Sequence, residues 1–317
     1  MPDLRYGKDR DHADRRVPIF LRMHRLRRAL ASQTGPLLRV LLLGIGALSA
    51  DAGGRDTELL SRLLMNERCA AVEIRPGILR PDWSVVTRPA AREALLGRDR
   101  ARIGLAETWN HALEPTQDLV WRMVLELFAR SGRPPHMHEI REATGLPPEH
   151  LRTLVAELRA HDLLGTNASA DVILYAYPFT GEPTKHRVLL RGRKLHAVCA
   201  IDALGIAGMF RTDVVIESSC LACGSGIEIA TAQSGKVLSH LRPVNAVVWY
   251  DLAYSGCAAA SCCQSIAFFC SEADLLRWLC PRSPQPTGFQ LTVDEALEVS
   301  RALFEPVLAV RTAPYTE

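Results

Sequence analysis

Eight of the nine cysteines in this 317-residue chain fall between positions 199 and 280, and the ninth is Cys69. Thiols gathered in this way point to sulfur chemistry: ligation of a soft metal, nucleophilic catalysis or a redox pair. Three groupings stand out. Cys199-Ala200-Ile201-Asp202 sets a thiol and a carboxylate three residues apart, so on a helix they share a face and the carboxylate can take or give the thiol's proton. Cys262 and Cys263 form a vicinal pair just before the apolar run Ile266-Ala267-Phe268-Phe269, and the mouth of a strand suits a reactive thiol. Cys220-Leu221-Ala222-Cys223-Gly224 is a C-x-x-C followed by glycine, half of a zinc knuckle or a redox pair, for which Cys257 with Cys262 or Cys263 could supply the missing ligands. Each grouping taken alone also fits plain packing. Cysteine is a commonly buried residue, and Asp202 could simply cap the apolar stretch 203–210.

The elements around these residues read as an α+β protein. A β-rich region from Leu195 onward has strand-like runs at 213–216, 226–232, 246–251 and 266–270, implying a mixed or antiparallel sheet with flanking helices. Helices are predicted at 275–279 and 293–304, the second with Thr292 as cap and Glu295 at the capping-box position. Before the sheet, residues 118–129 carry Leu119, Val120, Met123, Val124, Leu127 and Phe128 on one helical face. A short helix through Ile140 and a third over 149–161 follow, then strand-like runs at 171–177 and 186–190. This order resembles a winged helix-turn-helix, in which the last helix would offer only His150, Arg152 and Arg159 beside Glu149 and Glu157, a poor match to phosphate. A structural module is expected there, without DNA binding.

Nearer the N-terminus, 37–47 reads as a buried strand running into a glycine turn and 56–65 has helical spacing, which suggests a small α/β-like unit. The Gly44-Ile45-Gly46 turn lacks the third glycine at dinucleotide spacing, so no nucleotide site is expected. Residues 71–112 show no clear period. The first thirty residues are crowded with arginine and read as a basic arm, expected to be disordered. The organisation expected is therefore a basic arm over 1–35, an α/β-like region of unknown role over 36–113, a winged-helix-like module over 114–190 and a catalytic domain over 191–317.

Composition narrows the classes. Charged residues at 23% and hydrophobic ones at 48% match an ordinary globular protein, the net charge is +3, and the longest apolar run is too short to span a bilayer. With no export signal evident, a cytoplasmic, reducing location is expected, with the cysteines as thiols and no disulfide framework.

Three motifs in order resemble the organomercurial (alkylmercury) lyases of bacterial mercury-resistance systems. They are Leu195-His196-Ala197-Val198-Cys199-Ala200-Ile201-Asp202-Ala203-Leu204, Glu217-Ser218-Ser219-Cys220-Leu221-Ala222-Cys223-Gly224, and the Cys262-Cys263 pair before Phe268-Phe269. The resemblance covers roughly 116–308 and leaves the first hundred or so residues without a counterpart. It implies that Cys199 and Cys263 are the catalytic, mercury-binding thiols, that Asp202 is the catalytic carboxylate, and that Cys220 is structural, with Cys223 structural or accessory. Gln264-Ser265-Ile266-Ala267 departs from the histidine-containing residues usual in that family, and Cys262 is the one-residue-shifted alternative to Cys263. The reaction implied is protonolysis of R–Hg⁺ to R–H and Hg²⁺, with no cofactor. An external thiol would release the product, handing Hg²⁺ to cellular thiols or a mercuric reductase, and Cys220, Cys223, Cys257 or Cys262 could assist. Two other readings fit the residues: a thiol-rich metal sensor or DNA-binding regulator without catalysis, and a lyase relative with another substrate.

Overall fold

The computed structural model describes residues 71–101 and 113–310. The basic arm, the 37–47 strand with its glycine turn, the 56–65 helix and Cys69 all lie outside these residues.

The first described segment is the one whose sequence shows no period. It folds as a hairpin, β1 (Val72–Arg75) and β2 (Ile78–Arg80), followed by helix α1 (Pro89–Ala101). The face that α1 buries consists of Ala91, Ala94, Leu95, Gly97 and Arg98, in which Leu95 is the one large apolar side chain, so no apolar stripe is left to read. Polar ties fix the segment in place of that stripe. The Glu298 carboxylate accepts from Thr87 N (2.9 Å), Thr87 Oγ1 (2.6 Å), Arg88 N (2.8 Å) and Arg88 Nη1 (2.5 Å). Arg75 donates to Asp118 at 2.6 Å and to the carbonyls of Pro306 and Val307.

Three helices follow: α2 (Pro115–Ser131), α3 (Met137–Thr144) and α4 (Pro148–Ala160). α2 buries Val120, Val124, Leu127 and Phe128 of the expected face together with Trp121 and Leu125, whereas Leu119 is exposed and Met123 half-buried, so the buried stripe is rotated from the one expected. It stops where Gly132 takes the left-handed conformation, φ 75°, and its N–H closes on Phe128 O. β3 (Leu164–Thr166) and β4 (Ile173–Ala176) come next, in the order a wing would take, but they do not stand apart. They form one end of an eight-stranded antiparallel sheet, ordered β10-β9-β8-β6-β7-β5-β4-β3. Its other strands are β5 (Phe179–Thr180), β6 (Arg187–Leu190), β7 (Arg193–Ala197), β8 (Val215–Ser219), β9 (Gly226–Ala232) and β10 (Val237–Arg242). The domain boundary expected at 190/191 falls in the turn of the β6–β7 hairpin, where Val188 pairs with Leu195 and Leu190 with Arg193. Helical module and sheet region therefore share one hydrogen-bonded ladder.

Helix α5 (Ala200–Phe210) is buried along its whole length. It packs against α7 (Val293–Phe304), with Gly205 so close to the Phe304 ring that a Cβ there would stand 2.2 Å from Phe304 Cδ2. α7 starts at the expected capping box, Thr292 N donating to Glu295 Oε2 at 2.8 Å and Glu295 N to Thr292 Oγ1 at 3.2 Å. A second antiparallel sheet, β12-β11-β13, comprises β11 (Val247–Asp251), β12 (Ala267–Phe269) and β13 (Gly288–Thr292), with α6 (Glu272–Leu279) following β12. No helix among the described residues is long and apolar enough to cross a membrane.

Candidate active site

Cys199 is the N-cap of α5, in extended conformation, and its Sγ accepts the N–H of Asp202 at 3.5 Å. The helix keeps its apolar residues inside, so it carries the thiol and the Asp202 carboxylate into the interior with it. The third residue arrives from a different element. Cys263 lies in a single 3-10 turn, 262–264, held by Cys263 N donating to Ala258 O at 3.0 Å and Ile266 N to Cys262 O at 2.9 Å. Ile266 O in turn accepts from Ala200 N at 3.1 Å, which joins this turn to the start of α5. As a result one ligand atom each from Cys199, Asp202 and Cys263 lie within 4.8 Å of one another. The vicinal Cys262 borders the same cavity, with its Sγ directed to Ala258 O at 3.8 Å.

The cavity these residues line is about 30 Å³, room for a water or two, and is otherwise walled by Tyr177, Ile201, Tyr250, Ile266, Leu303, Phe304 and Arg98. Larger hollows elsewhere, two of them of about 570 and 590 Å³, are lined by none of the predicted site residues.

Electrostatics follow from this enclosure. Burial pushes the Cys199 thiol up to about 11 and the Asp202 carboxyl up to about 7. For Asp202 the hydrogen bond with Cys199 and the charge of Arg80 oppose that rise. Cys263 is held well above the ordinary thiol range, first by its hydrogen bond to the Cys199 sulfur, then by Cys262 and by burial. Asp202 is 4% exposed, and its Oδ2 has no hydrogen-bond partner among the described residues. At neutral pH the site is thus two thiols beside a carboxyl poised between its two states.

Several residues that position this site were not picked out from the sequence. Arg80 and Arg98, 4% and 6% exposed, come from the segment before the helical module, Arg98 lining the cavity and Arg80 donating Nε to Leu303 O at 2.8 Å. Burial and the neighbouring Arg98 charge pull Arg80 down to about 9, which leaves it cationic at neutral pH. Asp162, at the end of α4 with φ 51°, accepts from Ala258 N at 2.8 Å and from the hydroxyls of Tyr177 and Tyr254, each at 3.3 Å. Tyr177 Oη accepts from Ala259 N at 2.7 Å. These bonds clamp the loop that delivers Cys263. The one sequence signal for Asp162 is an aspartate just past a helix end, where a left-handed residue is tolerated.

Cys220 and Cys223 lie outside this site, and the partners expected for them are corrected. Cys257 meets the Tyr175 hydroxyl at 3.3 Å and Cys263 belongs to the buried site, whereas Cys220 and Cys223 gather with Cys270 and Asp274.

Known proteins give an independent comparison. Residues 179–305 match the family model described as alkylmercury lyase. An alkylmercury lyase of Staphylococcus epidermidis is 27% identical over 200 residues, covering 63% of this chain and 88% of the relative. One of Bacillus cereus is 26% identical over 188 residues, covering 58% and 80%. A crystal structure of the mercury-bound form of MerB2 superposes with a TM-score of 0.56 at 23% identity, covering 68% of this chain and all of that one, which shows that the fold is shared. Residues 179–305 thus match the model of the alkylmercury lyase family, and it is to these enzymes that the chain is similar over more than half its length.

Proposed function

We propose that the protein cleaves the carbon–mercury bond of organomercurials with Cys199, Cys263 and Asp202. The observation that carries this reading is the convergence of two thiols and one carboxylate, from two separate elements, on one buried cavity. Mercury is a soft centre, and thiolates are the side chains that select soft metals over oxygen-preferring ions.

In the resting state both thiols are protonated, so the electrophile itself must drive ionisation. R–Hg⁺ binds Cys199 sulfur as the thiol proton leaves to solvent. Asp202, poised near 7, takes the proton of Cys263, whose sulfur then adds to mercury and pushes electron density onto carbon. The protonated Asp202 returns its proton to that carbon. The C–Hg bond breaks, R–H departs, and Hg²⁺ remains on the two sulfurs. Every proton and ligand in this sequence comes from the protein or solvent, so the scheme needs no cofactor. The dithiolate product is stable enough that an external thiol, free or on a mercuric reductase, is required to remove Hg²⁺ by ligand exchange. Organomercurials are the substrates in this reading, and a reducing cytoplasm supplies the thiols.

The cavity of about 30 Å³ is smaller than an alkyl or aryl group, so substrate binding has to enlarge it. The test is anaerobic incubation with phenylmercuric acetate and excess thiol, following benzene by gas chromatography. Benzene formed by the wild type and lost in Cys199→Ser, Asp202→Asn and Cys263→Ser is the expected result. Stoichiometric mercury binding without benzene would overturn the reading in favour of a sensor.

A further inference from the structure

Among the described residues a second group of ligating atoms, on Cys220, Cys223, Cys270 and Asp274, lies within 4.8 Å of one another. Three sequence-distant pieces build it. The turn between β8 and β9 carries the first two thiols on one side, closed by Gly224 N donating to Cys220 O at 3.0 Å and Cys220 N to Ser225 O at 2.9 Å, with Gly224 at φ 75°. The end of β12 supplies Cys270, and the first turn of α6 supplies Asp274. Cys220 is fully buried, and its sulfur accepts two backbone N–H groups, from Cys223 at 3.5 Å and Cys270 at 3.4 Å. These two bonds fix where the Cys220 sulfur sits, facing the other three ligating atoms. The Cys223 and Cys270 sulfurs are 3.8 Å apart. Two sulfurs each ~2.3 Å from a tetrahedral Zn²⁺ would be separated by about 3.8 Å. The carboxylate is oriented as ligating carboxylates are, by outer hydrogen bonds: Ser271 Oγ donates to Oδ2 at 3.0 Å and Arg277 Nη1 to Oδ1 at 2.7 Å.

We propose that Cys220, Cys223, Cys270 and Asp274 form a closed tetrahedral site for structural Zn²⁺, separate from the Cys199–Cys263 centre. Three thiolates and one carboxylate are a donor set for zinc, whereas magnesium and calcium take oxygen ligands. Binding displaces up to three thiol protons to solvent, and no electron transfer is involved. Arg277 offsets part of the negative charge that three thiolates and a carboxylate leave around the metal. The ion joins the β8–β9 turn to the exit of β12, where Leu221 N already donates to Phe268 O at 3.1 Å, and to the start of α6. It therefore anchors the far end of the short strand whose near end follows Cys263.

The experiment is elemental analysis of the full-length protein purified under reducing conditions, for the wild type, a Cys199→Ser/Cys263→Ser variant, Cys223→Ser and Cys270→Ser. Co²⁺ replacement then reads sulfur-to-metal charge-transfer absorption. One equivalent of zinc in the first two proteins and a loss of at least about tenfold in occupancy in the last two is expected, with cobalt spectra of a tetrahedral thiolate site. Cys223 is exposed, so its variant should fold, which circular dichroism checks. Zinc lost only with Cys199 and Cys263, no zinc retained after incubation with Zn²⁺ alone, or a Cys223–Cys270 disulfide persisting in excess reductant would each overturn the proposal. Metal content is measured without turnover, so failure here is distinct from failure of the lyase reading.

Discussion

The two thiol clusters of this chain use the same residue types and differ in how the fold surrounds them. The Cys199–Asp202–Cys263 cluster sits behind α5 and α7 with every member buried and a carboxylate oxygen unpartnered. In the Cys220–Cys223–Cys270–Asp274 cluster only Cys220 is buried, Cys223 is exposed, and the carboxylate is already held by Ser271 and Arg277. Enclosure raises proton affinities and leaves capacity unspent, which suits a site that must change its protonation during a reaction. Satisfied, partly solvated groups suit a fixed role. Residue type alone therefore does not decide between reactive and structural sulfur; the local dielectric and the state of the carboxylate do.

The strongest test of this contrast is removal of single sulfurs. Cys199→Ser or Cys263→Ser should lower benzene release by at least about 10³-fold, whereas Cys223→Ser should stay within about threefold of wild type. Equal losses from both clusters would erase the distinction. Next in size, Asp202→Asn should slow turnover by roughly 10²–10⁴-fold while stoichiometric Hg²⁺ binding persists, because the sulfurs remain and only the proton carrier is lost. The pH–rate profile of the wild type should bend near 7 and that inflection should vanish in the variant.

The same carboxylate should report on stability with a definite sign. Burial raises its pKa from 3.8 to about 7, so the folded state holds the proton more tightly than the unfolded state, and stability is lost as pH rises through that window. Asp202→Asn should match the wild type in urea unfolding below pH about 4 and gain on the order of 1–4 kcal/mol above pH about 7. A gain independent of pH would show that the charge is not what burial penalises. A smaller effect is expected at the loop clamp. Asp162→Ala leaves the buried Ala258 N–H and two tyrosine hydroxyls without their acceptor, at a cost of roughly 1–3 kcal/mol, and should speed alkylation of Cys263 before it affects Cys223.

Much of this arrangement was legible in the residues. α2 and α7 announce themselves through an apolar face and, for α7, the Thr292–Glu295 capping box, because both signals are local. Cys199 and Asp202 share a helix turn and could be paired by spacing. The rest depends on contacts that spacing cannot express. Cys270 and Asp274 reach Cys220 and Cys223 only because the β8–β9 turn docks on β12. Both Cys262 and Cys263 border the cavity, and the phase of one 3-10 turn decides that Cys263 is the one that joins Cys199 and Asp202. Segment 71–101 is anchored by Glu298 and Arg75 and by close packing of small residues, so its Arg80 and Arg98 carry no pattern that marks them as neighbours of the site. The β6–β7 hairpin was open to detection, since Arg191-Gly192 is a turn signal between two strand-like runs, with Gly192 at φ 77°.

The continuous eight-stranded ladder also bears on how this protein can be cut and recombined. The family match begins at residue 179, inside the sheet, where Phe179 pairs with Ala176 on one side and Ala197 on the other. A fragment trimmed to the matched residues would present β5 as a raw edge, lack the Asp162 clamp and expose the apolar surface that α2 covers, which is a recipe for edge-to-edge association. The family match thus cuts through a ladder that continues on its N-terminal side, and a fragment for fusion, shuffling or directed evolution has to keep β3, β4 and the helices that precede them.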